Sequence, residues 1–139
     1  MSGMDTPGVT FGCVRPPLGV AEGPVRELLA RSVARDPDES LPALMNEIER
    51  GDVQLWVAHD GPELLAACIT QVLKTASGRQ CFIRHCAGKA MTDGIRFLPI
   101  IEEWAKSERC KSMKLVGRSG WARALPGFRQ VAVVLGKDL

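Results

Sequence analysis

The stretch FIRHCAGKAMTDGIRFLPIIEEWAKSERCKSMKLV, Phe82 to Val116, decides the fold. It opens on an apolar run, passes through a Gly-containing connection, and continues with apolar residues at helical spacing: Ile95, Leu98, Ile101, Trp104 and Ala105 share one side. Thr92 or Asp93 suits the helix start, whereas Pro99 lacks the N–H a helix interior needs and is expected to kink the helix or delay its start. SMKLV then reads as a second strand. A strand, a full crossover helix and another strand make the segments at Phe82 and Lys114 parallel neighbours in one sheet.

Upstream, VQLWVAHDGPELLAACITQVLKTASGRQCFIRHCAG contains three apolar runs separated by HDGPE and KTASGRQ, and reads as an antiparallel meander. Asp60-Gly61 suits a tight hairpin, and Ser77 to Arg79 a slightly longer one. Two helices precede it. VAEGPVRELLARSVARD aligns Val25, Leu28, Leu29, Ser32 and Val33 on one face; DESLPALMNEIERGD has Ser40 as N-cap, a stripe of Leu44, Met45 and Ile48, and Gly51 as terminator. Residues 1–19 read as an irregular arm with at most one short strand around Val9 to Val14.

Downstream, Gly117 and Gly120 break the chain, GWARALPG makes a turn or two of helix with Trp121 and Leu125 on one face, and Pro126-Gly127 stops it. FRQVAVVLGKDL follows as a final strand with Val131, Val133 and Leu135 on one face. The expected order is ααβββαβαβ, an α+β (mixed α/β) fold whose central, mainly antiparallel sheet is flanked by helices. Residues 20–139 form a single domain.

Composition narrows the function classes. A length of 139 residues suffices for a core without staples, and 45% hydrophobic with 24% charged residues is that of an ordinary globular chain. A net charge of +2, with 18 basic against 16 acidic residues, carries no nucleic-acid signature. Five cysteines with no C-x-x-C pair point to reduced thiols rather than a disulfide framework or a metal knuckle. No apolar run is long enough to cross a bilayer, and MSGMDTPG is no signal peptide, so synthesis and use in the cytoplasm are expected.

The order of elements, together with the tail ARALPGF, resembles the GNAT family of N-acetyltransferases. LWVAHDG, IIEEWAKSERCKSMKLVGRSGWARALPGF and VVLGKDL are similar to small GNAT-like proteins encoded among the virion structural genes of phages and prophages. The resemblance spans roughly residues 20–139.

It implies an acetyl-CoA pyrophosphate cradle at the start of the crossover helix, through a (Gln/Arg)-x-x-Gly-x-(Gly/Ala) loop. Here His85-Cys86-Ala87-Gly88-Lys89-Ala90 meets that spacing with histidine in the first position, which makes His85, Gly88, Lys89, Ala90 and Gly94 the candidate coenzyme residues. It also implies that the strands at Phe82 and Lys114 splay to admit the coenzyme arm. Amine acetylation needs a base and an acid, often glutamate and tyrosine. The chain has no tyrosine, and His85 and Ser119 are the candidates for proton chemistry.

Other polar residues read as ordinary surface or core. Glu102 and Glu103 suit a solvated helix face, His59 an exposed turn, Cys68 and Cys81 small core positions, and Trp56 and Trp104 packing. Cys86 and His85 are sequence neighbours on a strand and point to opposite faces, which prevents a direct Cys–His pair. Arg118, Arg123 and Arg129 suit solvated charge, anion contacts or a protein interface.

Two functions follow from the resemblance. The first is a virion structural or accessory protein, such as a head-to-tail adaptor, on a catalytically degenerate GNAT-like fold. It needs no cofactor, is made in the host cytoplasm, and contacts other virion proteins and copies of itself through the arm and the three arginines. The second is an acetyl-CoA-dependent N-acetyltransferase. Neither involves a membrane, a metal or a specific nucleic acid.

Overall fold

The structure is a computed structural model. It describes residues 4–6, 8–88, 91–116, 125 and 127–139, with the side chains of 4–6 and 91–95 left aside. Among the described residues six strands form one sheet in chain order: β1 (Met4–Thr6), β2 (Val9–Val14), β3 (Gln54–Asp60), β4 (Glu63–Thr75), β5 (Gly78–Gly88) and β6 (Cys110–Leu115). All neighbours are antiparallel except β5 and β6, which run parallel with Phe82 opposite Lys114. The parallel pair is joined by α3 (Met91–Ser107), the crossover read from the sequence.

Helices α1 (Glu22–Val33) and α2 (Leu41–Arg50) cover one face. Val25, Leu28 and Leu29 of α1 and Leu44, Met45 and Ile48 of α2 are buried against Leu55, Val57, Ala67, Ile69 and Ala87. The local signals for α2 are all present: Ser40 Oγ accepts from the Ala43 N–H at 3.4 Å, and Gly51 ends the helix at φ 78°. On the opposite face, Phe97, Leu98, Ile101 and Ala105 of α3 pack on Trp56, Ala58, Cys68, Cys81 and Ile83. α3 continues through Pro99, which is exposed.

Both hairpins form where expected. Asp60 pairs with Glu63 across Gly61-Pro62, with Gly61 at φ 56°, and Thr75 pairs with Gly78. Cys68 and Cys81 are buried core residues, as is Trp56; Trp104 is half-buried and edge-on to Trp56 at 5.5 Å.

Two parts of the chain differ from the sequence reading. The segment read as an irregular arm carries two strands, the expected Val9–Val14 and a further one at Met4–Thr6. β2 pairs with β3 from Thr10–His59 to Val14–Leu55, and the Phe11 ring stacks between Trp56 (5.8 Å) and Phe97 (4.7 Å). A buried aromatic on an interior strand makes this segment part of the core.

At the other end, residues 128–139 form no strand. Val131, Val133, Val134 and Leu135 are between 66% and 90% exposed. A strand exists only as part of a ladder. Between β6 and this extended tail lies a cleft of about 880 Å³ lined by Lys111 to Val116 and by Arg129 to Val134, so alternation in the sequence finds no paired edge. The short helix read at GWARALPG lies outside the described residues except for Leu125, which is buried as expected, and Gly127.

Candidate functional site

The site originates in one irregularity of β5. Ile69 of β4 is opposite His85 and the next residue, Thr70, is opposite Ile83, which leaves Arg84 as an extra residue in β5. Such a bulge lets two consecutive side chains point the same way. Ile83 belongs to the cluster under α3, whereas Arg84 and His85 both turn toward α1 and α2. After the bulge alternation resumes, with Ala87 in the core under α1 and α2.

Arg84 and His85 hold a largely buried polar network. The Arg84 guanidinium donates to Glu47 Oε2 at 2.7 Å, to Glu39 Oε1 and Oε2 at 2.9 and 3.2 Å, and to Gln71 Oε1 at 3.4 Å. His85, with a side chain 3% exposed, lies 3.1 Å from Glu39 Oε1 through Nε2 and 2.8 Å from Ser32 Oγ through Nδ1. A carboxylate only accepts, so the neutral imidazole places its proton on Nε2 toward Glu39, and Nδ1 accepts the Ser32 hydroxyl proton. Burial pushes the Glu39 carboxyl up, but hydrogen bonds from Arg84 and His85 and the charge of the guanidinium outweigh it and hold its pKa below the ordinary value. The Arg84 pKa is raised, first by its hydrogen bond to Glu47 and then, against the effect of burial, by Glu39.

The network ties Ser32 at the end of α1, Glu39 in the α1–α2 connection and Glu47 on α2 to one point of the sheet. That point is also where the sheet opens. The β5–β6 ladder ends at Ile83–Leu115, while β5 continues to Gly88 paired to β4 alone. The outer edge of Arg84–Gly88 therefore presents alternate backbone N–H and C=O groups with no strand partner among the described residues. The strands at Phe82 and Lys114 are themselves closed, with Lys114 Nζ 5.7 Å from the Phe82 ring centroid. The opening begins at Arg84, past the Ile83–Leu115 pair.

Among the coenzyme candidates, His85 and Gly88 sit on this end of β5 and Gly94 in the first turn of α3; Lys89, Ala90 and the catalytic candidate Ser119 lie outside the described residues. Gly88 is the last ladder residue, opposite Ala66. A Cβ there would come within 3.0 Å of Ala66 Cβ and 3.2 Å of Leu65 O, so close packing on β4 alone demands glycine.

Arg118 and Arg123 lie outside the described residues and Arg129 is exposed. Glu103 is exposed, and His59 is half-buried with Nδ1 donating to Gly61 O at 3.1 Å. Sequence reasoning did not single out Arg84, Glu39, Glu47 or Gln71. The signal available was an adjacent Arg-His pair inside an otherwise apolar strand, together with a serine on the apolar face of α1.

No protein-family model matches the sequence, and no curated protein matches it. Solved structures do match in fold. The aminoglycoside N-acetyltransferase AAC(6')-Iy in complex with CoA superposes with a TM-score of 0.72 at 12% identity over 94% of both chains. An aminoglycoside acetyltransferase from an uncultured soil metagenomic sample, in complex with sisomicin, gives 0.71 at 10% identity over 96% of this chain and 97% of its own. A GNAT family acetyltransferase of Staphylococcus aureus gives 0.70 at 12% identity over 95% and 99%. At such identities the likeness defines the fold: a mixed α/β GNAT-like sheet flanked by helices, as the sequence order implied. Among the described residues no helix is long and apolar enough to cross a membrane.

Proposed function

We propose that the protein is an acetyl-CoA-dependent N-acetyltransferase whose reaction takes place at the bulge of β5. The observation that carries this reading is the end of the β5–β6 ladder at Ile83–Leu115, directly before Arg84 and the buried Ser32–His85–Glu39 chain. An amide-rich arm such as that of coenzyme A can pair with the free edge of Arg84–Gly88 in the manner of an added strand. The thioester then lies beside the bulge. An acceptor amine enters from the α1–α2 side and loses its proton through the Ser32 hydroxyl to His85 Nδ1, with Glu39 fixing the ring and stabilising the imidazolium. Two solved structures of like fold, one with CoA and one with acetyl-CoA, support the reading by analogy of fold.

The test is titration calorimetry with acetyl-CoA, followed by thiol release with a panel of primary amines. Micromolar binding and a His85→Ala loss of about 10²- to 10⁴-fold in kcat are expected. No heat of binding at saturating coenzyme overturns the proposal.

A second reading, a virion structural role, draws on one observation: the exposed apolar tail Val131, Val133, Val134 and Leu135, beside a β6 edge with no strand partner among the described residues, suits a protein partner. Arg129, on the same segment, joins that surface. Stoichiometric recovery of the chain in purified particles, with the tail protected from proteolysis only there, is the outcome that reading requires.

A further inference from the structure

Five cysteines are distributed unevenly over the sheet. Cys13 lies opposite Trp56, Trp56 opposite Cys68, and Cys68 opposite Cys86, so a single row across β2, β3, β4 and β5 contains three thiols on the α3 face. Trp56 separates Cys13 from Cys68. Nothing separates Cys68 from Cys86: they are direct Cα partners on adjacent antiparallel strands. Directly opposed antiparallel residues have Cα atoms about 4.5–5.5 Å apart, inside the range a disulfide spans. Cys81 is opposite Met113 and Cys110 opposite Arg79, so no other two cysteines are ladder partners among the described residues.

We infer that Cys86 and Cys68 form a peroxide-reactive thiol pair, in which exposed Cys86 is oxidised first and buried Cys68 resolves it to an intramolecular disulfide. The two partners differ in the sense this requires. The Cys68 thiol beside it lowers the Cys86 pKa, outweighing the desolvation that raises it, while the Cys86 thiol and then burial raise Cys68 well above the ordinary thiol value. Exposed Cys86 thus supplies the attacking thiolate and buried Cys68 the resolving thiol.

In the first step the Cys86 Sγ lone pair attacks one oxygen of a hydroperoxide and the O–O bond breaks. This gives the Cys86 sulfenic acid and a leaving oxide that takes up the proton Cys86 had lost. In the second, Cys68 Sγ attacks Cys86 Sγ; the S–S bond forms, the S–O bond breaks, and water leaves with the Cys68 proton. Two thiols and one hydroperoxide become a disulfide, an alcohol or water from the peroxide, and one water. The disulfide ties β4 to β5 one residue past His85, under the free edge of the sheet, and a dithiol reductant reverses it.

The test uses the full chain treated with hydrogen peroxide, with thiols counted after denaturation and cysteine-linked peptides identified by mass spectrometry. Wild type is expected to lose two of its five thiols, leaving three, and to yield the Cys68–Cys86 peptide, released by dithiothreitol. Cys68→Ser is expected to retain a Cys86 sulfenic acid that dimedone traps, and Cys86→Ser to lose thiols at least about tenfold more slowly than wild type. Linkage of any other cysteine pair, equal thiol loss in Cys86→Ser, or five thiols surviving excess peroxide overturns the inference. Circular dichroism of each serine variant separates a failure to fold from a failure to react, and acetyl-CoA binding plays no part in the readout.

Discussion

His85 Nε2 and Glu39 Oε1 meet at 3.1 Å across 46 residues of chain, and through them the connection between the first two helices is fastened to the irregular point of the sheet. Glu39 is shared with Arg84, so the same carboxylate orients the imidazole and balances the guanidinium. Removing Arg84 takes the cation from both Glu39 and Glu47, whereas removing His85 leaves Glu39 still bonded to Arg84.

Replacing Arg84 with methionine removes the cation that pairs with both Glu39 and Glu47, whose side chains are only 19% and 22% exposed. Breaking a buried pair in this way costs about 3–5 kcal/mol. Urea unfolding should show a lowered midpoint, and the triple variant Arg84→Met, Glu39→Gln, Glu47→Gln should recover part of the loss because no unpaired charge remains.

Acid should loosen the same fastening. The Glu39 pKa is held below its ordinary value of 4.5, so its stabilisation is fully present above that value and disappears as pH falls through the lower folded-state pKa. Thermal unfolding followed from neutral pH to below pH 4 should therefore fall more steeply in wild type than in Glu39→Gln. Equal slopes would mean that another carboxylate dominates.

Gly88→Val forces a side chain against Ala66 Cβ and Leu65 O, at 3.0 and 3.2 Å from the added Cβ. A loss of about 1–3 kcal/mol in denaturant unfolding is expected from overpacking.

Trp56 donates its Nε1–H to Thr70 Oγ1 at 3.0 Å, and Thr70 donates its own O–H to Gln54 Oε1 at 3.0 Å. Trp56→Phe keeps an aromatic ring beside Phe11 but leaves the fully buried Thr70 hydroxyl without its donor. Leaving that group unsatisfied should cost about 1–3 kcal/mol, read from the unfolding midpoint.

The tail should be indifferent in isolation. Val133→Asp and Val131→Asp alter side chains that are 66% and 71% exposed, and each should shift stability within about 0.5 kcal/mol. If either instead unfolds the chain, residues 128–139 are paired in solution.

What the sequence disclosed and what it withheld divide along the range of the interactions. Ser40, Gly51, Asp60-Gly61 and the apolar stripes of α1, α2 and α3 act within a few residues, and each element they predict is present. The parallel β5–β6 pair was also legible, because a crossover helix admits only that arrangement. The bulge was not: an extra residue is defined by counting β5 against β4, and nothing in IRHCA alone shows that Arg84 lacks a partner. For the same reason the partner of Ser32 on the apolar face of α1 is not legible in the sequence, because His85 lies 53 residues away. Met4–Thr6 and the tail depart from the reading in opposite directions, since whether an extended segment pairs depends on an edge elsewhere in the chain.

The bulge also sets a genetic distance. Because Arg84 is the surplus residue, loss of that one codon would flatten β5 while leaving Ile83, His85, Cys86 and Ala87 on the faces they already occupy. A straight-stranded descendant with every other side chain in place is thus a single in-frame triplet away, reached without a shift of hydrophobic phase. In such a lineage Ser32, Glu39 and His85 could persist as a fossil after the strand had lost its kink. Presence of the residues would then be a poorer guide to a working site than the length of the segment between Gly78 and Gly88.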